Sequence, residues 1–189
     1  MPRVIAGTAG GRHLKTPDGR GTRPTSDRAK EALFSILHPF LDENTRFLDL
    51  FAGSGAIGIE ALSRGARDAV FVDEGRASIR LIHANLDACG FLERSKVLEM
   101  EVMRALDLLG KGGEAFDIVF LDPPYIKDYA RPCIEKIICC GIITERGILV
   151  AEHEKSHPPP DEILGYHSYD RRIYGISGFS FYRKRRKET

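Results

Sequence analysis

The 189-residue sequence has few cysteines and no long apolar run, and both shortages narrow the class of protein. Its four cysteines, at positions 89, 133, 139 and 140, include no C-x-x-C pair, so neither a zinc ribbon nor a disulfide scaffold is predicted. Because no stretch of about 18 apolar residues is present, no transmembrane helix is expected. The first residues, MPRVIAG, lack the apolar core of a secretory signal. These absences favour a protein of the reducing cytoplasm that is not attached to a membrane.

The two ends of the chain are poor in acidic residues, although the net charge of the whole chain is only +1. Residues 1–31 hold seven basic and three acidic residues, and residues 170–189 hold seven basic and two acidic residues. The ends therefore carry +4 and +5, and residues 32–169 carry −8. Basic ends on an acidic body indicate contact with a polyanion, although a solvated tail would show the same composition.

Short β-branched or aromatic runs alternate with longer helical patterns from Arg46 onward. Strand–helix alternation at this spacing predicts a parallel sheet with helices on both faces, and hence an α/β fold. The end of the chain is expected to close the sheet with an antiparallel strand, which gives a seven-stranded, mostly parallel sheet. The candidate helices are near 56–64, 77–89, 102–109 and 130–140, and the candidate strands are 46–50, 69–73, 96–99, 117–121, 147–151, 164–174 and 176–183.

A segment of different character precedes the sheet. Residues 3–16 alternate around Gly10-Gly11 and predict a β-hairpin. Thr25-Ser26-Asp27 is typical of the N-cap of a helix, which we expect to run to about Leu37. We therefore divide the chain into an N-terminal extension, residues 1–40, and a catalytic domain, residues 41–189.

The segment GSGAIG, residues 53–58, satisfies the dinucleotide-binding pattern G-x-G-x-x-G. Glycines let the backbone approach a ligand, and the N-terminus of the following helix offers free N–H groups. Asp49, however, precedes this loop, and its carboxylate would repel a pyrophosphate. A cationic or zwitterionic ligand is therefore favoured over a nicotinamide dinucleotide. Asp73 ends the second strand 18 residues beyond Gly55, where an acid recognises ribose hydroxyls in either class of site.

The segment Asp122-Pro123-Pro124-Tyr125 at the end of the fourth strand indicates the chemistry. The exocyclic amine of a nucleobase is a poor nucleophile, because its lone pair is delocalised into the ring. The Asp122 carboxylate and the Pro123 carbonyl are placed to accept its two hydrogens, and the carboxylate would stabilise positive charge that develops on nitrogen. Prolines stiffen this backbone, and Tyr125 is suited to stack on the base. The pattern predicts methyl transfer to an amino group, although Asp-Pro is also common in ordinary turns.

These motifs resemble the bacterial family of 16S ribosomal RNA guanine-N2 methyltransferases, which use S-adenosylmethionine. Two segments near the N-terminus, RVIAGTAGGRHLKTP and TRPTSDRAKEALFSIL, are more specific to that family than the general methyltransferase motifs are. The resemblance implies a Rossmann-like S-adenosylmethionine-dependent methyltransferase fold. It also implies that the protein is a monomer, needs no metal, and acts on 16S ribosomal RNA or on an assembly intermediate of the small subunit. The matching segments are RVIAGTAGGRHLKTP, TRPTSDRAKEALFSIL, LDLFAGSGAIGIEALSRGA, FVDEGRASI, FDIVFLDPPY and YGISGFSFYRKR.

The resemblance also assigns roles by position. Asp122, Pro123 and Tyr125 would be catalytic, and Pro124 and Tyr125 would contact the target guanine. The N-terminal extension would bind RNA through Arg12, Lys15, Arg23 and Arg28. Glu101 is the best match to a polar adenine-contacting position, where the family usually has the shorter Asp or Asn. The cofactor would contact Asp49, Phe51, Gly53, Gly55, Asp73, Glu101, Val102 and Asp122.

Three alternatives remain at this stage. The Asp-Pro-Pro-Tyr motif also serves adenine-N6 methylation of DNA, but this small chain has no evident target-recognition domain. A non-catalytic RNA-binding protein is a second alternative, and an NAD oxidoreductase is a third, disfavoured by Asp49.

The segment His153–His157 matches the zinc-protease pattern H-E-x-x-H, but it follows a strand and runs into three prolines, so a metal-binding helix is not expected. We expect surface or core-edge roles for His83 and Asn85.

Overall fold

The computed structural model describes residues 2–16, 27–124 and 129–185. This part of the chain contains five α-helices and eight strands. Contacts group the chain into two compact units, Met1–Val102 and Met103–Thr189. The boundary that we place near residue 40 remains a prediction about function, since it separates an RNA-binding extension from a catalytic domain. None of the helices in the described ranges is long and apolar enough to cross a membrane.

The first unit is built on three parallel strands, with β2 between β1 and β3. The four residues after Arg46 in β1 are all buried, as are the four between the two ends of β2. Burial on both faces explains why these residues are apolar except for Asp49. Two 3-10 turns, His38–Phe40 and Leu92–Arg94, join elements of this unit. The elements are α1 (Asp27–Leu37), β1 (Arg46–Leu50), α2 (Ala56–Ser63), β2 (Asp68–Asp73), α3 (Arg76–Cys89) and β3 (Ser95–Glu99).

The second unit combines one parallel strand pair with an antiparallel end. Strand β4 pairs with β5 in parallel, and β5, β8, β7 and β6 then follow in that spatial order with antiparallel pairing. Helix α4 begins at the unit boundary. The elements are α4 (Val102–Lys111), β4 (Phe116–Leu121), α5 (Ala130–Cys139), β5 (Ile143–Glu154), β6 (Glu162–Ile163), β7 (Tyr166–Tyr174) and β8 (Ser177–Lys184).

Two strand predictions need correction. The predicted strand 164–174 begins in a turn, because Leu164 and Gly165 both have positive φ, 47° and 82°, and connect β6 to β7. The described residues therefore contain eight strands rather than seven. The predicted strand 147–151 is also too short. Strand β5 continues to Glu154, because its last six residues form an antiparallel ladder with β8.

The N-terminal predictions agree in part with the structure. Helix α1 ends at Leu37 as predicted, whereas its expected cap at Thr25-Ser26 lies outside the described residues. The predicted hairpin consists of one antiparallel bridge between Arg3 and His13. The Val4 N–H donates to the Arg12 carbonyl at 2.9 Å, which closes the two arms.

Candidate functional site

The glycine loop between β1 and α2 is held in left-handed backbone conformations. Phe51, Gly53 and Gly55 have φ values of 60°, 57° and 76°. Gly55 is the N-cap residue of α2, so the free N–H groups of this helix begin at the loop. Among the described residues, a Cβ atom at Gly53 would meet only the Phe51 carbonyl oxygen, at 4.0 Å, so these residues leave space open beside it. The loop can therefore present backbone N–H groups to a ligand at close range.

Asp49 supports the loop from within the protein. This residue is only 2% exposed, and its Oδ2 accepts a hydrogen bond of 2.9 Å from the Gly58 N–H. Burial, with a smaller contribution from the charge of Asp73, raises the pKa of Asp49 to about 8. A Cβ at Gly58 would lie 2.3 Å from the Phe71 ring, so only glycine allows α2 to pack this closely. A cationic ligand nearby would favour the ionised carboxylate.

Asp73 fastens the loop at the end of β2. Its Oδ2 accepts a hydrogen bond from the Gly53 N–H and its Oδ1 accepts one from the Gly75 N–H, both at 2.8 Å. Each carboxylate oxygen has a further lone pair, so Asp73 can still accept bonds from ribose hydroxyls. The structure thus brings Asp73 and the predicted glycine loop into direct contact.

The segment after β3 contains the two remaining predicted cofactor residues of the first unit. Glu101 is half-buried, and Val102, the first residue of α4, is buried. The Met100 N–H donates to the Asp73 carbonyl at 3.1 Å, which places this segment beside the end of β2. The adenine-contacting role of Glu101 stays a prediction.

The Asp-Pro-Pro segment follows β4 in the second unit and borders a cavity. Asp122 is half-buried, Pro123 is buried and Pro124 is exposed. Tyr125 lies outside the described residues. Pro123 and Pro124 line a cavity of about 780 Å³, together with Tyr129, Ala130, Arg131, Pro132, Glu135, Glu152, His153, Glu154, Ser156, His157 and Pro158 to Pro160. This volume is in the range of small-molecule sites.

The His153–His157 segment forms a wall of this cavity and is not helical. His153 is buried in β5, and its Nε2 lies 2.8 Å from the Ser180 hydroxyl, which accepts a bond from Arg171 Nε. The Glu154 carbonyl can only accept, so His153 Nδ1–H donates to it at 2.8 Å, and Nε2 of the neutral ring accepts from the Ser180 hydroxyl. Burial lowers the pKa of His153. Over residues 2–16, 27–124 and 129–185, no three His, Cys, Asp or Glu side chains are grouped as a metal site requires.

The N-terminal residues 2–16 are bound tightly to α2. The Glu60 carboxylate, fully buried, accepts bonds from the N–H groups of Ile5 and Ala6 at 2.8 and 3.1 Å. The Lys30 ammonium lies 3.3 Å from the same carboxylate and is 1% exposed. Burial is the main cause that lowers the pKa of Lys30. Residues 2–16 are therefore an integral part of the first unit.

Asn85 has an importance that the sequence analysis missed. It is 1% exposed on α3, where we expected a surface or core-edge role. Its Oδ1 accepts from the Lys15 N–H at 2.8 Å, and its Nδ2 donates to the carbonyls of Lys15 and Ser54 at 2.9 Å each. One side chain thus joins the N-terminal residues to the glycine loop. The available signal was a polar residue within the apolar stripe formed by Ile82 and Leu86.

The predicted RNA-contacting residues have different surroundings. Arg12 is exposed but donates to the Ala88 carbonyl near the end of α3. Lys15 and Arg28 are exposed, and neither side chain forms an ion pair within the described part of the chain. Arg23 lies outside the described residues. Of the five basic residues described near the C-terminus, Arg171, Arg172 and Arg185 are paired to acidic residues.

Comparison with known proteins identifies the family. The chain is 37% identical over 183 residues to the Bacillus subtilis protein named "Putative rRNA methyltransferase YlbH", covering 97% of this chain and 99% of that protein. It is 31% identical over 182 residues to "Ribosomal RNA small subunit methyltransferase D" of Escherichia coli K12, covering 96% of this chain and 89% of that protein.

The fold matches a solved structure over nearly its whole length. The Escherichia coli "Putative methyltransferase yhhF" superimposes with a TM-score of 0.85 and 31% identity, covering 97% of each chain. The α/β fold is therefore Rossmann-like, as the sequence predicted. The profile of the family described as "Conserved hypothetical protein 95" matches residues 2–183. The chain belongs to this family.

Proposed function

We propose that this protein methylates the N2 amine of a guanine in small-subunit ribosomal RNA, with S-adenosylmethionine as methyl donor. The observation that carries the proposal is the Asp122-Pro123-Pro124 segment at the end of β4, beside a cavity, in a chain whose relatives are named ribosomal RNA methyltransferases. The residues of the first unit fit the cofactor chemically. The described residues leave space for a ligand at Gly53, and the acids at Asp49 and Asp73 suit a cationic ligand that carries ribose hydroxyls.

Each group in the proposed mechanism has a defined task. Asp73 would accept hydrogen bonds from the ribose, while the loop at Gly53 and Gly55, with Asp49 beneath it and Phe51 beside it, would hold the methionine end. S-adenosylmethionine supplies a methyl group on a positively charged sulfur. Asp122 would accept one hydrogen of the guanine N2 amine and the Pro123 carbonyl the other, which turns the nitrogen lone pair toward the methyl carbon. Asp122 would also take up the proton that N2 must lose when it is methylated.

Access to the base requires a local change in the RNA. A guanine in a duplex is stacked, so the target must be unpaired or flipped to enter a pocket beside Pro124. Phosphate contacts from Lys15 and Arg28 would set the register of the RNA without reading its sequence. Both side chains are exposed, which supports this role.

The proposal is tested with small ribosomal subunits and 16S RNA from a strain that lacks this protein. Purified protein and S-adenosylmethionine carrying a labelled methyl group are added, and the modified nucleosides are mapped by mass spectrometry. The expected product is N2-methylguanosine at one position. Label on adenine N6, or no transfer to either substrate, would contradict the proposal.

A substitution tests the assigned chemistry. Asp122→Ala should reduce turnover by about 10²-fold or more and leave cofactor affinity nearly unchanged, because the lost interaction acts in the transition state. Glu145→Gln, at an exposed position near the start of β5, is the control and should behave as the parent. Calorimetry with S-adenosylmethionine and NAD in parallel tests the cofactor assignment, since binding of NAD alone would favour an oxidoreductase.

A further inference from the structure

Strand register places a second carboxylate next to Asp122. Leu121 of β4 pairs with Ala151 of β5 in a parallel ladder. Asp122 and Glu152 each follow one member of that pair, so Asp122, just after the end of β4, lies next to Glu152, which is still within β5. Adjacent strands lie about 4.8 Å apart. Two acidic side chains therefore occupy equivalent positions on adjacent strands, beside the Asp-Pro-Pro segment.

Glu152 faces the cavity that this segment borders. The residue lines the cavity together with Pro123 and Pro124, yet it is only 3% exposed. A charged carboxylate with so little access to water needs hydrogen-bond donors around it. Its two oxygens offer about four acceptor positions, and a ligand N–H would occupy one of them. The position suits the recognition of a ligand that presents hydrogen-bond donors.

We infer that Glu152 reads the N1–H of the target guanine and thereby selects guanine over adenine. The inference rests on the proposed function and names a residue that determines its specificity. Guanine presents N1–H and the N2 amine side by side on its Watson–Crick edge, so two adjacent carboxylates match two adjacent donors. Asp122 receives the amine and Glu152 receives N1–H. Adenine has a bare lone pair at N1, which a carboxylate repels.

This second carboxylate explains how one motif serves different bases. Asp122 and Pro123 address only an exocyclic amine, and that group occurs in adenine as well as in guanine. Discrimination must come from the neighbouring ring position, where the two purines differ in the presence of a proton. A site built to hydrogen-bond a donor rejects an analogue that lacks it, because the buried acceptor is left without a partner.

The experiment uses 2-aminopurine, which keeps the N2 amine but has a lone pair at N1. Once the methylated position is mapped, synthetic RNA with guanine or 2-aminopurine at that position is ligated into the ribosomal RNA. The parent protein should methylate the 2-aminopurine RNA with kcat/KM lower by roughly 10- to 100-fold, the effect expected for one charged hydrogen bond. Glu152→Gln should bring the two substrates to within a few-fold of each other, because its amide N–H can donate to the bare N1.

The matched control is Glu145→Gln, the same change on the same strand at an exposed position. It should retain the discrimination of the parent. A Glu152→Gln variant that binds S-adenosylmethionine normally and still discriminates as strongly as the parent would overturn the inference while leaving the proposed function intact. Failure of the parent protein to methylate the guanine RNA would overturn both.

Discussion

Replacing Asn85 with alanine should destabilise the protein and weaken cofactor binding together. The Asn85 side chain makes three hydrogen bonds, two with the backbone of Lys15 and one with the carbonyl of Ser54 in the glycine loop. The Asn85 side chain is 1% exposed, whereas its partner Lys15 is exposed and Ser54 is half-buried, so water can reach part of this network. Each buried group left without a partner costs about 1–3 kcal/mol. Three backbone groups lose their partner, and the lower part of this range applies because they are only partly buried. The alanine variant should therefore lose about 3–6 kcal/mol of unfolding free energy, a large share of typical domain stability.

The more selective variant is Asn85→Asp, which preserves size and shape. The carboxylate can still accept the bond from the Lys15 N–H, but it cannot donate to the carbonyls of Lys15 and Ser54. An oxygen would then face two carbonyl oxygens, and the glycine loop would be pushed away from α3. We expect this variant to bind S-adenosylmethionine at least tenfold more weakly, while helix α3 persists.

Urea denaturation measures the unfolding free energy, and calorimetry measures cofactor affinity. His83→Ala, two positions earlier on an exposed part of α3, is the control and should resemble the parent in both assays. If the unfolding free energy of Asn85→Ala lies within about 0.5 kcal/mol of that of the parent, the hydrogen bonds contribute little to stability and the prediction is wrong. Normal cofactor affinity in Asn85→Asp would show that Ser54 does not transmit the change to the loop.

Three further predictions follow from buried charge and exposed basic residues. Because the pKa of Asp49 is raised to about 8, the unfolding free energy should fall as pH rises from about 4 to 8. Denaturation at several pH values should show a flatter slope for Asp49→Asn than for the parent, and equal slopes would contradict this prediction. Glu60→Gln leaves the buried Lys30 ammonium without its carboxylate and should cost about 3–5 kcal/mol by urea denaturation, and a loss below 1 kcal/mol would contradict this. Lys15→Ala with Arg28→Ala should reduce the slope of log K against log salt by about 2 in RNA-binding titrations, whereas an unchanged slope would show that both residues are merely solvated.

The choice of Lys15 and Arg28 for the RNA experiment comes from the structure. The sequence offered Arg12 with Lys15 as a pair of phosphate contacts, and both lie in the basic N-terminal segment. Arg12 also donates to the Ala88 carbonyl, so its removal would change stability as well as charge. Exposed residues without ion pairs in the described part of the chain give a cleaner test of binding.

Local sequence signals were sufficient to predict the elements whose pattern depends on residues close in sequence. Strand β1 spans Arg46–Leu50 as predicted, and helix α1 ends at Leu37, because apolar periodicity and the surrounding turn residues define both. Spacing also predicted a glycine loop after β1 and an acid at the end of β2, and both are at these positions, while their cofactor roles stay predictions. These features depend on residues close in sequence or on a fixed order of strand, loop and helix.

Non-local pairing accounts for what the sequence did not reveal. The last residues of β5, Glu152-His153-Glu154, are too polar to indicate a strand, yet they pair with Phe179, Gly178 and Ser177 of β8. Their strand conformation places Glu152 in the cavity wall, and a prediction that ended the strand at Ala151 could not find it. Asn85 was missed for the same reason, since its partners Ser54 and Lys15 are 31 and 70 positions away.

The contacts of Asn85 have a consequence for the order of binding. The backbone of Lys15 and the carbonyl of Ser54 share one buried side chain, so a ligand that fixes either segment also restrains the other. Coupling of this kind is reciprocal: if cofactor binding to the glycine loop strengthens RNA binding through Lys15, RNA must strengthen cofactor binding by the same factor. The N-terminal residues therefore do more than add positive charge. Their attachment at Asn85 makes the geometry of the glycine loop depend on the segment that we propose contacts the RNA.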